Sequence, residues 1–170
     1  YDRPNNRYRR WTQHLSPMTG SRVIGAMLLI LWSASLTAEM VPTQSPSVQF
    51  INQHNSDPAL QFSDHSIDVD GQRLHYVSAG TGKLILFYHG FPSYWYMWKN
   101  QLLDLAADYR VVAVDGLGAN LSAKPNELTP YHVSALSRQL KALVEALVGD
   151  EGFVLVGHDW GGALAWSYAQ

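Results

Sequence analysis

The chain has 170 residues, 46% of them hydrophobic, and a net charge of −2, which is the composition of an ordinary globular domain. With that charge and no basic run outside the first two dozen residues, nucleic acid is not an expected partner. The absence of cysteine removes disulfides, thiol chemistry and Cys/His zinc sites from consideration.

Arg3, Arg7, Arg9, Arg10 and Arg22 crowd the start, with Asp2 as the one acid among them. Residues 23–32 are apolar or glycine, and the small residues that follow offer a cleavage position after Ala38. Residues 1–38 therefore read as an arginine-rich leader and a secretory signal peptide, which implies an exported, periplasmic or secreted protein. The alternative is an uncleaved anchor, although the apolar run is shorter than the ~20 residues that span a bilayer. The arginines then act as topology signals, and any membrane contact is expected through this segment alone. Tyr1 is not an initiator, and Met18 makes a more ordinary start.

Residues 39–57 are polar, carry Pro42 and Pro46, and show no apolar period, so they are expected to be a linker. The domain proper is then 58–170. Residues 66–69 and 74–77 form a hairpin about Asp70-Gly71, and Leu84–Tyr88, bounded by Gly82 and Gly90, is a buried strand. The loop His89-Gly90-Phe91-Pro92 follows, with an aromatic-proline step suited to a cis bond. Tyr94, Trp95, Tyr96 and Trp98 come next, either lining an apolar pocket or packing beneath a lid or stabilising the loop. After a helix, residues 111–114 form a strand that feeds the glycine-rich loop 115–122, in which Asp115 reads as a loop-capping carboxylate and not a second catalytic acid. A helix is expected from the N-cap Thr129 before Pro130 to a stop at Gly149. Its apolar stripe is Val133, Leu136, Leu140, Leu143, Val144 and Leu147.

The most informative stretch is Gly157-His158-Asp159-Trp160-Gly161-Gly162. It follows a buried-type strand at 153–156 and opens a helix expected from Ala163. A strand that turns sharply into a helix strains its central residue and needs small neighbours, which Gly157, Gly161 and Gly162 supply. Asp159 is lifted above the sheet edge, toward helix amides that favour negative charge, and should be ionised at neutral pH. A carboxylate attacking an acyl group gives a labile anhydride, whereas attack on a saturated carbon gives a stable ester. The chemistry implied is therefore opening of an epoxide or displacement of a halide, followed by hydrolysis of the alkyl-enzyme ester with a histidine as general base. The expected partners are a small apolar substrate such as an epoxide or alkyl halide, and water. No cofactor and no metal are called for.

The pair His89-Gly90-Phe91-Pro92 and Gly157-His158-Asp159-Trp160-Gly161-Gly162 resembles the α/β-hydrolase superfamily, in its epoxide hydrolase and haloalkane dehalogenase branch. The resemblance covers roughly residues 64–170 and implies an α/β-hydrolase fold, a mostly parallel sheet with helices on both faces. It assigns Asp159 as nucleophile and the amides of Phe91 and Trp160 as an oxyanion hole. Phe91 favours epoxide hydrolysis over dehalogenation, because dehalogenases commonly carry asparagine there as a halide donor. Trp160 does not discriminate, and no arginine follows Asp159 as in haloacetate dehalogenases. The loop 115–122 departs from the family by lacking an arginine. Among the histidines, His158 should face away from the substrate, His89 organises its loop, and His65 and His75 lie in the first strands, far from the elbow. The resemblance implies that the lid, the acid and the base lie beyond Gln170. On that reading the chain is truncated after the elbow, and this piece alone is inactive and poorly soluble, with the elbow strand on a raw sheet edge. A non-catalytic binding protein that kept the elbow but lost the base is the alternative of another class.

Overall fold

The structure, a computed structural model, describes residues 44–149 and 151–170. The leader and the first part of the expected linker lie outside these residues. Among the described residues, no helix is long and apolar enough to cross a membrane.

The chain enters through α1, Pro46–His54, within the stretch read from sequence as linker. The local physics is ordinary. Ser45 accepts a bond from the amide of Val48 with its side chain, and Pro46 occupies the first turn, where its missing N–H costs nothing. Val48 and Ile51, three apart and so on one face, are buried in the core. The helix is too short, and its buried face too small, for an apolar period to show in the sequence.

Strands β1, Ser63–Val69, and β2, Gln72–Ala79, pair antiparallel with Val69 opposite Gln72. Asp70 and Gly71 both have positive φ, 49° and 72°, the backbone of a two-residue turn that matches strand twist. Both strands run longer than the sequence suggests. β3, Leu84–Tyr88, and β4, Arg110–Val114, are parallel neighbours, joined through a 3-10 turn at Trp95–Trp98 and α2, Lys99–Leu105. α3, Val133–Val148, leads to β5, Val154–Gly157, which lies parallel to β3 on its other side, and α4, Trp160–Tyr168, follows. The sheet order is β1-β2-β4-β3-β5. Its antiparallel part is the hairpin side, and its parallel part carries the two loops of interest.

The central strands are buried on both faces, as parallel strands are when helices cover each side. Ile85, Phe87, Val111 and Ala113 point to the layer that contains Val48, Trp95 and Leu102. Their alternates Leu84, Leu86, Tyr88, Val112 and Val114 meet Leu140, Leu143, Val144 and Leu164 of α3 and α4. The aromatic group after the first loop belongs to this packing: Trp95 is fully buried, and Tyr94, Tyr96 and Trp98 pack against the same cluster.

Three expectations are corrected. Thr129 does not cap α3, because Thr129–Tyr131 forms a separate 3-10 turn and the extended residue His132 precedes the helix. Proline at 130 favours that tight turn, and the chain must straighten before α3 can lie along the sheet. Val133 is exposed, while Ala135 and Gln139 are buried; the rest of the expected stripe, Leu136, Leu140, Leu143, Val144 and Leu147, faces the core. α4 starts at Trp160, not Ala163, since Gly161 and Ala163 donate backbone bonds to His158 and Asp159 and close the first turn at once.

Candidate active site

The site is built where β3 and β5 end side by side. Tyr88 and Gly157 are register partners, and the amide of His158 donates to the carbonyl of Tyr88. The two loops therefore leave the sheet together, and residues 68 apart in sequence meet.

In the first loop His89 is buried. Its Nε2 accepts from the amide of Gly116 at 2.9 Å, which leaves its Nδ1 to donate to the carbonyl of Gly90 at 2.8 Å. Both ring nitrogens are thus committed to the loop. The Phe91-Pro92 bond is cis. Phe91 is 81% exposed, and its amide donates to Oδ1 of Asp159 at 2.9 Å. Gly90 has a steric reason to be glycine, because a Cβ there would fall onto the Asp159 side chain.

In the second loop Asp159 has φ 54° and ψ −121°, a conformation that a residue with a Cβ rarely adopts and that tends to mark functional sites. It ends β5 and precedes the first turn of α4, whose free amides make an electropositive cradle. The neighbouring amide of Trp160 and the amide of Phe91, which donates to Oδ1, hold the carboxylate's pKa below the ordinary value, with desolvation opposing them. Gly157 and Gly161 allow this packing: a Cβ on Gly157 would strike the carbonyl of Gly161, and one on Gly161 would strike the carbonyls of Tyr88 and His89. Gly162 differs, because its nearest neighbour lies at an ordinary 3.5 Å. Trp160 is 63% exposed. His158, Asp159 and Trp160 all stand at the surface.

Among the described residues no histidine hydrogen-bonds to Asp159, and no cluster of three or more His, Asp or Glu is arranged to hold a metal. The arrangement offers a carboxylate at a strained backbone position, bonded by the Phe91 amide, next to that of Trp160 and between two residues with exposed aromatic rings.

Sequence reasoning missed a second polar assembly behind this site. Asp115 is fully buried just after β4. It accepts from the amide of Trp95 at 2.9 Å, from Asn120 at 2.7 Å, from the amide of Leu121, and from Nδ1 of His75 at 2.7 Å. The opposite ring nitrogen of His75 reaches Asp64 at 2.8 Å, and Asp64 in turn accepts from the amide and hydroxyl of Ser45. Burial alone would lower the pKa of His75, but the bonds to Asp115 and Asp64 outweigh it and raise the pKa. The separations of 11 and 40 residues carry no local signal in the sequence. Only the loop-capping role of Asp115 was readable.

Comparison with known proteins agrees with this architecture. The profile of the alpha/beta hydrolase fold family matches residues 83–170, more than half of the chain. Among relatives, "Epoxide hydrolase 1" of Caenorhabditis elegans is 44% identical over 100 residues, which cover 58% of this chain and 24% of the relative. "Epoxide hydrolase 4" of Mus musculus is 35% identical over 153 residues, covering 84% of this chain and 40% of the relative. Among solved structures, a mutant epoxide hydrolase from Bacillus megaterium superposes with a TM-score of 0.59 at 40% identity, over 62% of this chain and 37% of that one. An epoxide hydrolase from Vigna radiata gives 0.61 at 34% identity, over 63% and 33%. The chain belongs to the α/β-hydrolase fold family, and the relatives and structures described above to which it is similar are epoxide hydrolases. It spans 24% to 40% of the length of the two relatives described.

Proposed function

We propose that the protein hydrolyses epoxides to vicinal diols, with Asp159 as nucleophile. One carboxylate oxygen attacks an oxirane carbon, the carbon–oxygen bond of the ring breaks, and the ring oxygen takes up a proton, leaving an alkyl ester on Asp159. Water then adds to the ester carbonyl. Negative charge develops on the second oxygen, Oδ1, which the Phe91 amide already holds at 2.9 Å and which the neighbouring Trp160 amide is placed to share. Collapse breaks the acyl–oxygen bond, releases the diol and restores the carboxylate.

The observation that carries this reading is the carboxylate at a strained elbow with the Phe91 amide bonded to it across the two loops. An ester at this position keeps its carbonyl oxygen among donors, which favours hydrolysis. A halide leaving group is less well served, since Phe91 offers no side-chain donor. The proposal takes the base that activates water from outside residues 44–170, in keeping with the chain spanning 24% to 40% of its relatives' length. The substrate is apolar next to its oxirane, matched to the exposed rings of Phe91 and Trp160. Export is supported by the apolar run at 23–32 and the small residues up to Ala38.

The test is a single turnover in water labelled with heavy oxygen. Label is expected in Asp159 and not in the first diol released, and Asp159→Ala abolishes turnover. Label entering the diol directly would sink the covalent mechanism.

A further inference from the structure

The loop that carries Phe91 is gripped at both ends by one short segment. At its far end, Oδ1 of Asp115 holds the amide of Trp95. At its near end, the next amide along from Asp115, that of Gly116, holds Nε2 of His89, whose Nδ1 holds the carbonyl of Gly90. Between these two points lies the amide of Phe91, bound to Asp159. Residues 115–116 therefore act as a clamp on the loop, and a clamp works only if its own orientation is set.

That orientation comes from β2. The main chain of His75 binds the amide of Asp115 at 2.9 Å, and its Nδ1 binds the carboxylate of Asp115 at 2.7 Å. The amide of His75 donates to Ser122, whose hydroxyl donates to the carbonyl of Asp115 at 2.6 Å. Asp115 is fully buried, so its carboxylate needs buried hydrogen-bond donors. Nδ1 of His75 is the donor that comes from β2, whereas Trp95, Asn120 and Leu121 belong to the loops on either side of the clamp.

We propose that His75 is a positioning residue of the hydrolytic site: through Asp115 it fixes the loop 89–95 so that the Phe91 amide stays aimed at the nucleophile. This rests on the assignment of Asp159 as nucleophile. The Phe91 amide gains most when charge develops on Oδ1, so loss of aim slows hydrolysis of the alkyl-enzyme more than its formation. The side toward Asp64 and Ser45 anchors α1 and has no such effect.

Two substitutions separate the two sides of the ring. Asparagine places its amide nitrogen near the position of Nδ1 and keeps a donor for Asp115. Glutamine reaches to the position of Nε2 and keeps a donor for Asp64. His75→Gln is expected to slow decay of the alkyl-enzyme about tenfold, a part of the effect of removing an oxyanion donor outright, with a smaller change in its formation. His75→Asn stays within a few-fold of the unaltered protein. Exchange of the Phe91 and Trp95 amide hydrogens, read by NMR, is expected to accelerate in the Gln variant only. Should His75→Gln fail to fold, Asp64→Asn, at the more exposed end, is expected to leave both the decay rate and the Phe91 exchange unchanged. Equal effects of Gln and Asn on decay and exchange, or a slowed decay in Asp64→Asn, would overturn the proposal. If no alkyl-enzyme forms in the unaltered protein, the nucleophile assignment fails instead, while amide exchange still reports on the positioning role.

Discussion

At the scale of single residues, the site depends on where a Cβ has room. Gly90, Gly157 and Gly161 sit against the Asp159 side chain or against backbone, whereas Gly162 has ordinary clearance. Gly161→Ala is expected to cost about 3 kcal/mol or more, because rigid carbonyls must move, and to show as a large drop in thermal midpoint. Gly162→Ala lies in a helix and is expected to be neutral or to stabilise by up to about 1 kcal/mol. Gly90→Ala differs in what it strikes: besides Oδ1 it meets the Cβ of Asp159, which rotation of that side chain does not move, so both a lower thermal midpoint and a collapse of turnover are expected. The sequence made no such distinction, since all three elbow glycines suit a sharp turn equally. Gly161 faces the carbonyls of Tyr88 and His89, which are remote in the chain, and Gly157 faces the carbonyl of Gly161 only once the turn has closed.

At the scale of elements, α1 shows how much a few bonds accomplish. Its N-cap Ser45 also binds Asp64 by amide and hydroxyl, at 2.6 and 2.7 Å, and Asn52 reaches across to the backbone of Phe62. Ser45→Ala is expected to cost about 1–2 kcal/mol as a lost cap with a lost partner for a carboxylate. Ile51→Ala, 3% exposed, is expected to cost about 2–4 kcal/mol. Denaturant titration measures both. The longer elements were legible because their signals are long. Leu84–Tyr88 is apolar throughout and flanked by glycine, and Asp70-Gly71 announces its turn. α1 was lost in a polar stretch, although Ser45-Pro46 is a start signal, because its buried face consists of Val48 and Ile51 alone.

At the scale of the whole described unit, the parallel strands bring the two loops to one edge, while the hairpin side supplies their support. Phe91 and Asp159 were legible as a pair because each sits in a dense local motif. The support was not, because Asp64, His75 and Asp115 are ordinary residues until the sheet aligns them. Their alignment has a thermodynamic signature. The pKa of His75 is raised above 6.5, so its contribution to stability is complete below about 6.5 and is lost as pH rises through the higher folded value. His65 acts oppositely: its pKa is lowered, first by burial and then by Arg110, and it favours the folded state at higher pH. The informative measurement is thus the difference in stability between the protein and its His75→Leu variant as a function of pH. This difference is expected to shrink as pH rises through the folded pKa of His75, and both carboxylates that face the ring, Asp64 and Asp115, remain in the variant.

The grip of the Phe91 amide on Oδ1 also gives the two oxygens of Asp159 different fates. Under the proposed chemistry one oxygen is handed to the product and replaced from solvent at every cycle, while its tethered twin is never surrendered. Mass spectrometry after many cycles in heavy-oxygen water is expected to find a single label on Asp159, however long the reaction runs. The carboxylate would then be a partly renewable part: one atom is exchanged with each substrate, and the other is as permanent as the backbone that holds it.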